Sequence, residues 1–459
     1  MAQDDEARDG AGEAYAGDDG GAGVIEGPSG FDFRGLDVPS LTGGKHKVKK
    51  RHGGDGAAKD AKRGTSKKRG KGGGRRPDTS EAGRRKSDGA RAARGAEDAT
   101  PLLFRPMTLR GLTIRNRIWL PPMDTYSAFA RDGRPTPFHY QHYVSRAMGG
   151  FGMIIAEATA VTPEGRISPC DVGLWEDGQI DAWRWIVDGI KDAGAVAAVQ
   201  LNHAGRKGST GCFGVGHEGG SVPEEEGGWR TVGPTDRPFG DLDAPRAMSV
   251  EEIHDVVGAF AAAARRAVLA GFQAVEIHAA HGYLISQFLD PLVNEREDEY
   301  GHGFSGRIRL LLEVVDAVRA AIPETMPLLV RVSATDWAEG GWDTPQTVAL
   351  ARVLDARGVD LMDVSTGGVL PGVTIPVKPG YQVPFAAQVR AGAGMPVTAV
   401  GLVTKAKQAE RILEKGQADA VEIGRAALRD PYWPLRAAAK LGMDRHRAPY
   451  PAQYVRGAY

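Results

Sequence analysis

From Leu102 onward, short apolar runs alternate with longer segments in which apolar residues recur every three or four positions. The short runs are typical of strands buried on both faces, and the longer segments are typical of amphipathic helices. The predicted strands are residues 117–121, 153–157, 195–201, 274–278, 328–333, 361–365, 397–400 and 420–423. The predicted helices are residues 139–148, 180–193, 249–270, 305–321, 345–357, 386–391, 404–414 and 431–440.

Eight strand-then-helix units predict the α/β fold class and, within it, a (β/α)8 TIM barrel. A doubly wound sheet is the structural alternative, and it would need a glycine-rich turn after its first strand. The chain instead continues Leu120-Pro121-Pro122-Met123, which favours the barrel. Ser249 with Glu252 predicts a capping box, and Gly271 and Gly358 predict helix ends. The Gly- and Pro-rich segment 208–247 predicts a lid or a rim.

Residues 1–100 differ from the rest, and we predict a disordered extension there and a barrel domain over residues 101–459. Up to Asp37 there are ten acidic residues against two arginines, a net charge of −8. From Lys45 to Arg94 there are nineteen Lys or Arg against five Asp or Glu, a net charge of +14. Apolar residues are too sparse here to offset the entropy of ordering the chain.

The basic segment 45–94 offers a second class of function, binding of nucleic acid or of an acidic surface. No aromatic residue lies between Phe33 and Phe104, so base stacking is not offered. A solvated tail and translated upstream sequence are the plainer interpretations.

The amino-acid composition allows a large globular core and excludes several classes of protein. Hydrophobic residues make up 41% and charged residues 25% of the chain, so a large core can be buried. The two cysteines, Cys170 and Cys212, exclude a disulfide framework and a four-cysteine metal cluster, which fits a reducing, cytoplasmic location. No apolar run approaches about 18 residues and no secretory signal is seen, so no membrane association is predicted.

In a barrel the carboxyl ends of the strands share one mouth, and candidate site residues collect there. Gly401, Gly424 and Arg425 follow the seventh and eighth predicted strands, where barrels often hold a phosphate through backbone N–H groups. Glycines at such turns are also commonly structural, and this alternative stays open.

Two further polar residues suit a flat heteroaromatic ring. Gln200 offers both a donor and an acceptor, Arg331 can neutralise negative charge on the ring, and Pro122, Met123 and Ala158 offer apolar contacts. Flavin mononucleotide (FMN) meets these demands. Pairing of Gln200 and Arg331 inside the barrel is the alternative.

The stretch Ile277-His278-Ala279-Ala280-His281-Gly282-Tyr283 places two imidazoles and a phenol within six residues. A neutral imidazole can donate a hydrogen bond to a carbonyl oxygen, and a phenol can donate a proton. Ordinary histidines and a metal-binding pair are the alternatives, although no third ligand stands beside them. No metal site is predicted.

These motifs together resemble the old yellow enzyme family, in particular its bacterial branch of FMN-dependent NADPH dehydrogenases. The resemblance covers residues 102–459. It is carried by Leu112-Thr113-Ile114-Arg115-Asn116-Arg117, Pro122-Met123, Thr136-Pro137-Phe138-His139, Glu157-Ala158-Thr159-Ala160, Gln200-Leu201-Asn202-His203-Ala204-Gly205-Arg206-Lys207, His278-Ala279-Ala280-His281-Gly282-Tyr283, Asp298-Glu299-Tyr300-Gly301, Arg331-Val332-Ser333 and Ile423-Gly424-Arg425.

The resemblance implies reduction of the C=C bond of α,β-unsaturated carbonyl compounds, with NADPH or NADH as the reductant. His278 and His281 would hold the substrate carbonyl oxygen, Tyr283 would donate the proton, and Tyr126 would line the substrate pocket. Arg456 would reach the site of a neighbouring subunit in a homodimer or homotetramer. The expected FMN-binding residues are Pro121, Pro122, Met123, Asp124, Ala158, Gln200, Arg331, Gly401, Gly424 and Arg425.

One residue departs from the family pattern, because Asp124 stands where that branch usually has a cysteine beside the flavin. An ionised carboxylate would repel the charge of the reduced flavin, so we expect a lower flavin potential unless Asp124 is protonated or paired. Oxidation or demethylation of a small amine or xenobiotic is the alternative within flavin chemistry. A flavin-free barrel lyase, which would be colourless, is another.

Overall fold

The computed structural model describes residues 100–213 and 216–459. Residues 1–99, with nearly all of the predicted extension and the whole basic segment 45–94, lie outside the described residues. Within the described residues, no helix has both the length and the apolar character needed to cross a membrane.

Eight parallel strands form a closed barrel in the described chain. Each pairs with the next in sequence, and the eighth pairs with the first. The (β/α)8 prediction is therefore confirmed, and the closed ring rules out a doubly wound sheet. The strands are β1 (Ile118–Leu120), β2 (Met153–Ala160), β3 (Val196–Asn202), β4 (Ala274–Ala279), β5 (Leu328–Ser333), β6 (Leu361–Ser365), β7 (Val397–Ala399) and β8 (Ala420–Glu422).

The helices cover the outside of the barrel in the predicted order. They are α1 (Pro137–Met148), α2 (Gly178–Asp192), α3 (Val250–Ala270), α4 (Arg309–Ala321), α5 (Thr344–Asp355), α6 (Val383–Ala393), α7 (Ala406–Glu414) and α8 (Trp433–Lys440). The helix predicted over 305–321 is two segments, since Gly303–Arg307 is separate from α4. The short helix Leu284–Leu289 was not predicted, and a further short helix, Arg425–Arg429, follows β8.

Local sequence signals explain the ends of several helices. At α3 the Ser249 hydroxyl accepts a hydrogen bond from the Glu252 N–H at 3.2 Å, and the Glu252 carboxylate accepts one from the Ser249 N–H at 2.8 Å. This reciprocal pair confirms the capping box. Gly271 ends α3 with φ of +94°, a conformation that costs glycine little.

Side chains alternate along the strands and so build layers inside the barrel. On β4, for example, Val275 and Ile277 pack outward against the helices, while Ala274 packs with other small and apolar side chains in a separate inner cluster. That cluster also contains Met107, Leu109 and Ile114 from the hairpin Met107–Ile114. The amino-terminal end of the barrel is therefore filled with apolar groups.

The segment 208–247 lies beside the opposite end of the barrel. It contains the one-turn helix Glu224–Glu226 and pairs Val232–Gly233 with Arg246–Ala247. Phe213, within this segment, borders the main cavity with its side chain 58% exposed. This position agrees with the predicted rim or lid.

Candidate active site

A cavity of about 410 Å³ lies at the carboxyl ends of the strands, within the size range of small-molecule sites. Most of the residues predicted for the site border this cavity. They are Pro121, Pro122, Met123, Asp124, Tyr126, Gln200, His278, His281, Tyr283, Arg331, Gly401, Gly424 and Arg425.

Two predicted residues do not border it. Ala158 contributes through its backbone instead, because its N–H donates a hydrogen bond to Asp124 Oδ1 at 3.1 Å. Arg456 is exposed in the C-terminal turn Ala452–Gly457 and does not border the cavity of its own chain. Its contribution to a neighbouring subunit's site stays a prediction.

The end of β4 brings His278, His281 and Tyr283 together. The ring centroid of His278 lies 5.1 Å from that of His281 and 4.9 Å from that of Tyr283, and both pairs are nearly perpendicular. His278 Nδ1 accepts a hydrogen bond from the Ala280 N–H at 3.2 Å. This bond places the ring proton of a neutral His278 on Nε2.

Burial keeps these groups uncharged. Desolvation, followed by the positive charge of Arg331, lowers the pKa of both imidazoles well below the ordinary value. Desolvation also raises the pKa of the Tyr283 phenol well above its usual range, and the carboxyl groups of Asp124 and Asp171 add to this. At neutral pH the cluster therefore presents neutral imidazoles and a protonated phenol.

The phenols of Tyr283 and Tyr126 are buried, and neither hydroxyl has a hydrogen-bond partner among the described residues. A buried polar group without a partner is costly, so it points to a ligand that satisfies it. Both hydroxyls belong to side chains that border the cavity.

The turn after β4 is held in place by a close backbone approach. Gly282 has φ of +73°, and a Cβ atom there would lie 2.2 Å from the Gly368 carbonyl oxygen. Lys207 joins the same two segments, because its Nζ donates to the carbonyl oxygens of His281 and Gly368 at 2.9 Å each. Only glycine fits between His281 and Tyr283 without moving these groups.

Asp124 lies between an anion and a cation. Burial, with the nearby charge of Glu157, raises the pKa of Asp124 to about 7, while the Ala158 N–H and Arg331 act in the opposite direction. Burial alone would raise the pKa of Glu157 too, but His139 and the hydrogen bonds that it receives lower it. Glu157 therefore stays ionised beside a carboxyl group whose pKa is raised toward neutral pH.

A polar layer at the base of the cavity was predicted only in part, through Gln200 and Arg331. It is formed by inward-facing residues of six successive strands, namely Gln200, Glu276, Arg331, Asp363, Thr398 and Glu422. We call Glu276, Asp363 and Glu422 the carboxyl triad. Glu276 stands two positions before His278, which was predicted, and Asp363 stands two positions before Ser365, the last residue of β6. Because side chains alternate along a strand, counting back two residues would have exposed them.

The carboxyl triad surrounds Arg331. Arg331 Nε lies 2.7 Å from Asp363 Oδ2, and Arg331 Nη2 lies 3.8 Å from Glu422 Oε2. Gln200 Nε2 donates to Glu276 Oε1 at 2.8 Å. Internal barrel pairing, the alternative for Gln200 and Arg331, is thus present, and both residues still border the cavity.

Tyr381 and Gln382 border the cavity as well and were not predicted. They precede α6, and Gln382 Nε2 donates to the hydroxyls of Ser365 and Thr366 at 3.1 and 2.9 Å. Nothing in the local sequence of this loop indicates that it folds over the barrel mouth.

The geometry can be compared with known proteins. A family model described as the NADH:flavin oxidoreductase / NADH oxidase family matches residues 102–444. The NADPH dehydrogenase of Bacillus licheniformis is 46% identical over 355 residues, which are 77% of this chain and 98% of that protein. The old yellow enzyme homologue from Zymomonas mobilis aligns with a TM-score of 0.62 and 29% identity, over 78% of this chain and 99% of that one.

Morphinone reductase gives the same TM-score of 0.62 at 29% identity, over 75% of this chain and 90% of that chain. The resemblance to the old yellow enzymes, the prediction of an oxidoreductase, and the prediction of FMN and NADPH or NADH as cofactors are confirmed. The chain belongs to the NADH:flavin oxidoreductase / NADH oxidase family.

Proposed function

We propose that this oxidoreductase reduces the C=C bond of α,β-unsaturated carbonyl compounds. The observation that carries the proposal is the buried, unpartnered hydroxyl of Tyr283 beside two neutral imidazoles. A carbonyl oxygen needs hydrogen-bond donors where negative charge develops, and the adjacent carbon needs a proton. The cluster at the end of β4 offers both kinds of group.

Support for the FMN site comes from the donors and acceptors around the cavity. Gln200 has committed one amide proton to Glu276, which leaves the rest of its amide for the edge of a ring. Arg331 has further N–H groups besides its Nε–H, whose nitrogen lies 2.7 Å from Asp363 Oδ2. Pro121, Pro122 and Met123 would contact the ring, with Asp124 and Ala158 beside it, while Gly401, Gly424 and Arg425 would hold the phosphate.

When bound, FMN accepts a hydride from NADPH or NADH and passes it on to the substrate. His278 and His281 would hold the substrate oxygen and stabilise the charge that develops on it, which lowers the barrier more than it strengthens binding. Tyr283 would give its phenolic proton to the α-carbon. Tyr126, whose hydroxyl is also unpartnered, would line the substrate pocket.

The substitution Tyr283→Phe tests the proton donor. We expect the reaction of the reduced enzyme with an enone such as cyclohexenone to slow by about 10²-fold or more, because the general acid is lost. Reduction of the enzyme by NADPH should keep its rate, since no phenolic proton is used in that half-reaction. Anaerobic stopped-flow absorbance measures the two halves separately. Equal losses in both would contradict the role of Tyr283.

A further inference from the structure

The carboxyl triad combines three buried acids with one buried arginine. Glu276, Asp363 and Glu422 are each at most 1% exposed. One oxygen of each carboxyl group lies within 4.8 Å of an oxygen of each of the others. Arg331 is the cation among them, and it lies nearest to Asp363.

Hydrogen-bond donors around the triad are too few for three carboxylates. Glu276 Oε1 receives the Gln200 amide, and Asp363 Oδ1 receives the Thr398 hydroxyl at 2.8 Å. Thr398 has a single hydroxyl proton to give. Among the described residues, neither oxygen of Glu422 has a hydrogen-bond partner, and the same is true of Glu276 Oε2.

Three buried carboxylates beside one guanidinium would leave an excess of negative charge, so the site must hold protons. Burial and the charge of Asp363 raise the pKa of Glu276 to about 8, and they raise that of Glu422 well above its usual range. Burial also raises the pKa of Asp363, against the opposing effects of Arg331 and Thr398. The triad is therefore partly protonated at neutral pH.

The groups that act on Glu422 come from the four strands β4 to β7. They are Asp363, Arg331, Glu276 and Thr398. Through Arg331 the triad is also coupled to Asp124 and to the imidazoles of His278 and His281. Glu422 and Arg331 themselves border the cavity, so a change of charge inside the cavity acts directly on the triad.

We propose that the carboxyl triad is a redox-linked proton site, which binds one proton from solvent when the flavin receives a hydride and releases it when the hydride leaves. The proposal rests on the proposed placement of FMN in the cavity, and it does not depend on the identity of the final hydride acceptor.

The charges balance in each direction. NADPH gives up a hydride, which is two electrons with one proton, and the cofactor gains one negative charge. A carboxylate of the triad takes one proton from water and loses one negative charge, so the buried site keeps its net charge. When the hydride moves to the substrate, the carboxyl group returns its proton to water. Arg331 cannot supply this compensation because it is protonated throughout.

The test is the dependence of the flavin midpoint potential on pH, measured by spectroelectrochemistry of the FMN-loaded protein from about pH 6 to about pH 9.5. The titration is carried out with Asp124→Asn as the common background, which removes the separate proton of Asp124. Above the pKa of Glu276, we expect the background protein to take up about two protons per two electrons, one on the flavin and one on the triad. With Glu422→Gln added, we expect about one, on the flavin alone. The flavin midpoint potential should then fall with pH twice as steeply in the background protein as in the protein that also carries Glu422→Gln.

Two further variants separate proton binding from structural damage. Glu422→Asp keeps an ionisable group and should keep the steep slope, while Glu276→Gln should reduce the slope as Glu422→Gln does. A reduced-minus-oxidised infrared difference spectrum should contain a protonated-carboxyl band that Glu422→Gln removes. Equal slopes in all four proteins would overturn the proposal.

Two other results are equally decisive. A metal ion bound to the triad in the purified protein, found by elemental analysis and lost in Glu422→Gln, would overturn the proton site. Failure of enone reduction with the steep slope intact would instead overturn the proposed function and leave the proton site standing.

Discussion

Glu157 on β2 and the carboxyl triad on β4, β6 and β8 are equally buried, yet their pKa values move in opposite directions. Glu157 is a single acid with several donors. The Thr125 N–H and hydroxyl donate to it at 3.0 Å each, the Tyr143 hydroxyl donates at 2.6 Å, and His139 Nε2 lies 3.6 Å away. The triad has three acids, one arginine and two hydrogen bonds from side chains.

The difference teaches that burial alone does not decide the charge of a carboxyl group in this barrel. What decides it is the number of donors for each acidic group. Glu157 is a permanent anion held rigidly, whereas the triad can gain or lose a proton at modest cost. Asp124 lies between the two and responds to both, since Glu157 raises its pKa and Arg331 lowers it.

The largest effect is expected from Glu157→Gln. The amide cannot accept from Thr125, Tyr143 and His139 together, so the free energy of unfolding should fall by about 3–5 kcal/mol. Urea denaturation of the FMN-loaded protein near pH 7 measures this. The same substitution in the triad, Glu276→Gln, is the matched control and should cause no comparable loss. A change within about 0.5 kcal/mol for Glu157→Gln would contradict the contrast between the two clusters.

A smaller, pH-dependent effect is expected from Glu276→Gln. The pKa of Glu276 is raised to about 8 in the folded protein, so its stabilising contribution is complete at low pH and is lost as the pH rises toward 8. The variant has no carboxyl group at this position, so its free energy of unfolding does not fall for this reason as the pH rises. We expect the free energy of unfolding of the variant, relative to that of the parent, to increase by about 2–3 kcal/mol between about pH 5 and pH 9. The full shift of Glu276 is not expected because the three acids share the bound protons.

Urea titrations of both proteins at the two pH values, with FMN in excess, measure that difference. A constant difference across the range would show that Glu276 is already ionised in the folded state. It would also remove the distinction from Glu157, whose pKa is lowered and whose contribution is lost only in acid.

The smallest effect concerns Asp124. Since its pKa is raised to about 7, the carboxyl group is largely protonated in mild acid and ionised in mild base. The expected lowering of the flavin potential should therefore be confined to the basic side. We predict that Asp124→Cys raises the potential by an amount equivalent to about 1 kcal/mol at about pH 9, and by less at about pH 6. Redox titration at both values decides this, and no rise at either would refute it.

Much of the fold and the mouth of the site could be predicted from the sequence. Continuous apolar runs marked all eight strands because parallel strands are covered on both faces. The strand-end positions then gave Gln200, His278, Arg331 and several other residues that border the cavity. The reason is geometric, since a closed barrel brings the carboxyl ends of its strands together whatever their sequence.

Other parts could not be predicted in this way. Tyr381 and Gln382 reach the cavity through a loop whose path depends on tertiary packing. The charge states of Asp124 and Glu157 depend on distances between side chains of different strands, which a linear pattern does not contain. Ala158 was predicted to offer an apolar contact, but it does not border the cavity, and its backbone N–H donates to Asp124.

The apolar filling at the amino-terminal end of the barrel determines how water can reach the carboxyl triad. Met107, Leu109 and Ile114 close the amino-terminal end of the described barrel below the polar layer. The described barrel is therefore open only at the carboxyl ends of its strands. Water that exchanges a proton with Glu422 therefore has to reach it through the cavity that Glu422 borders. Proton exchange at the triad and hydride transfer would therefore share one entrance to the barrel.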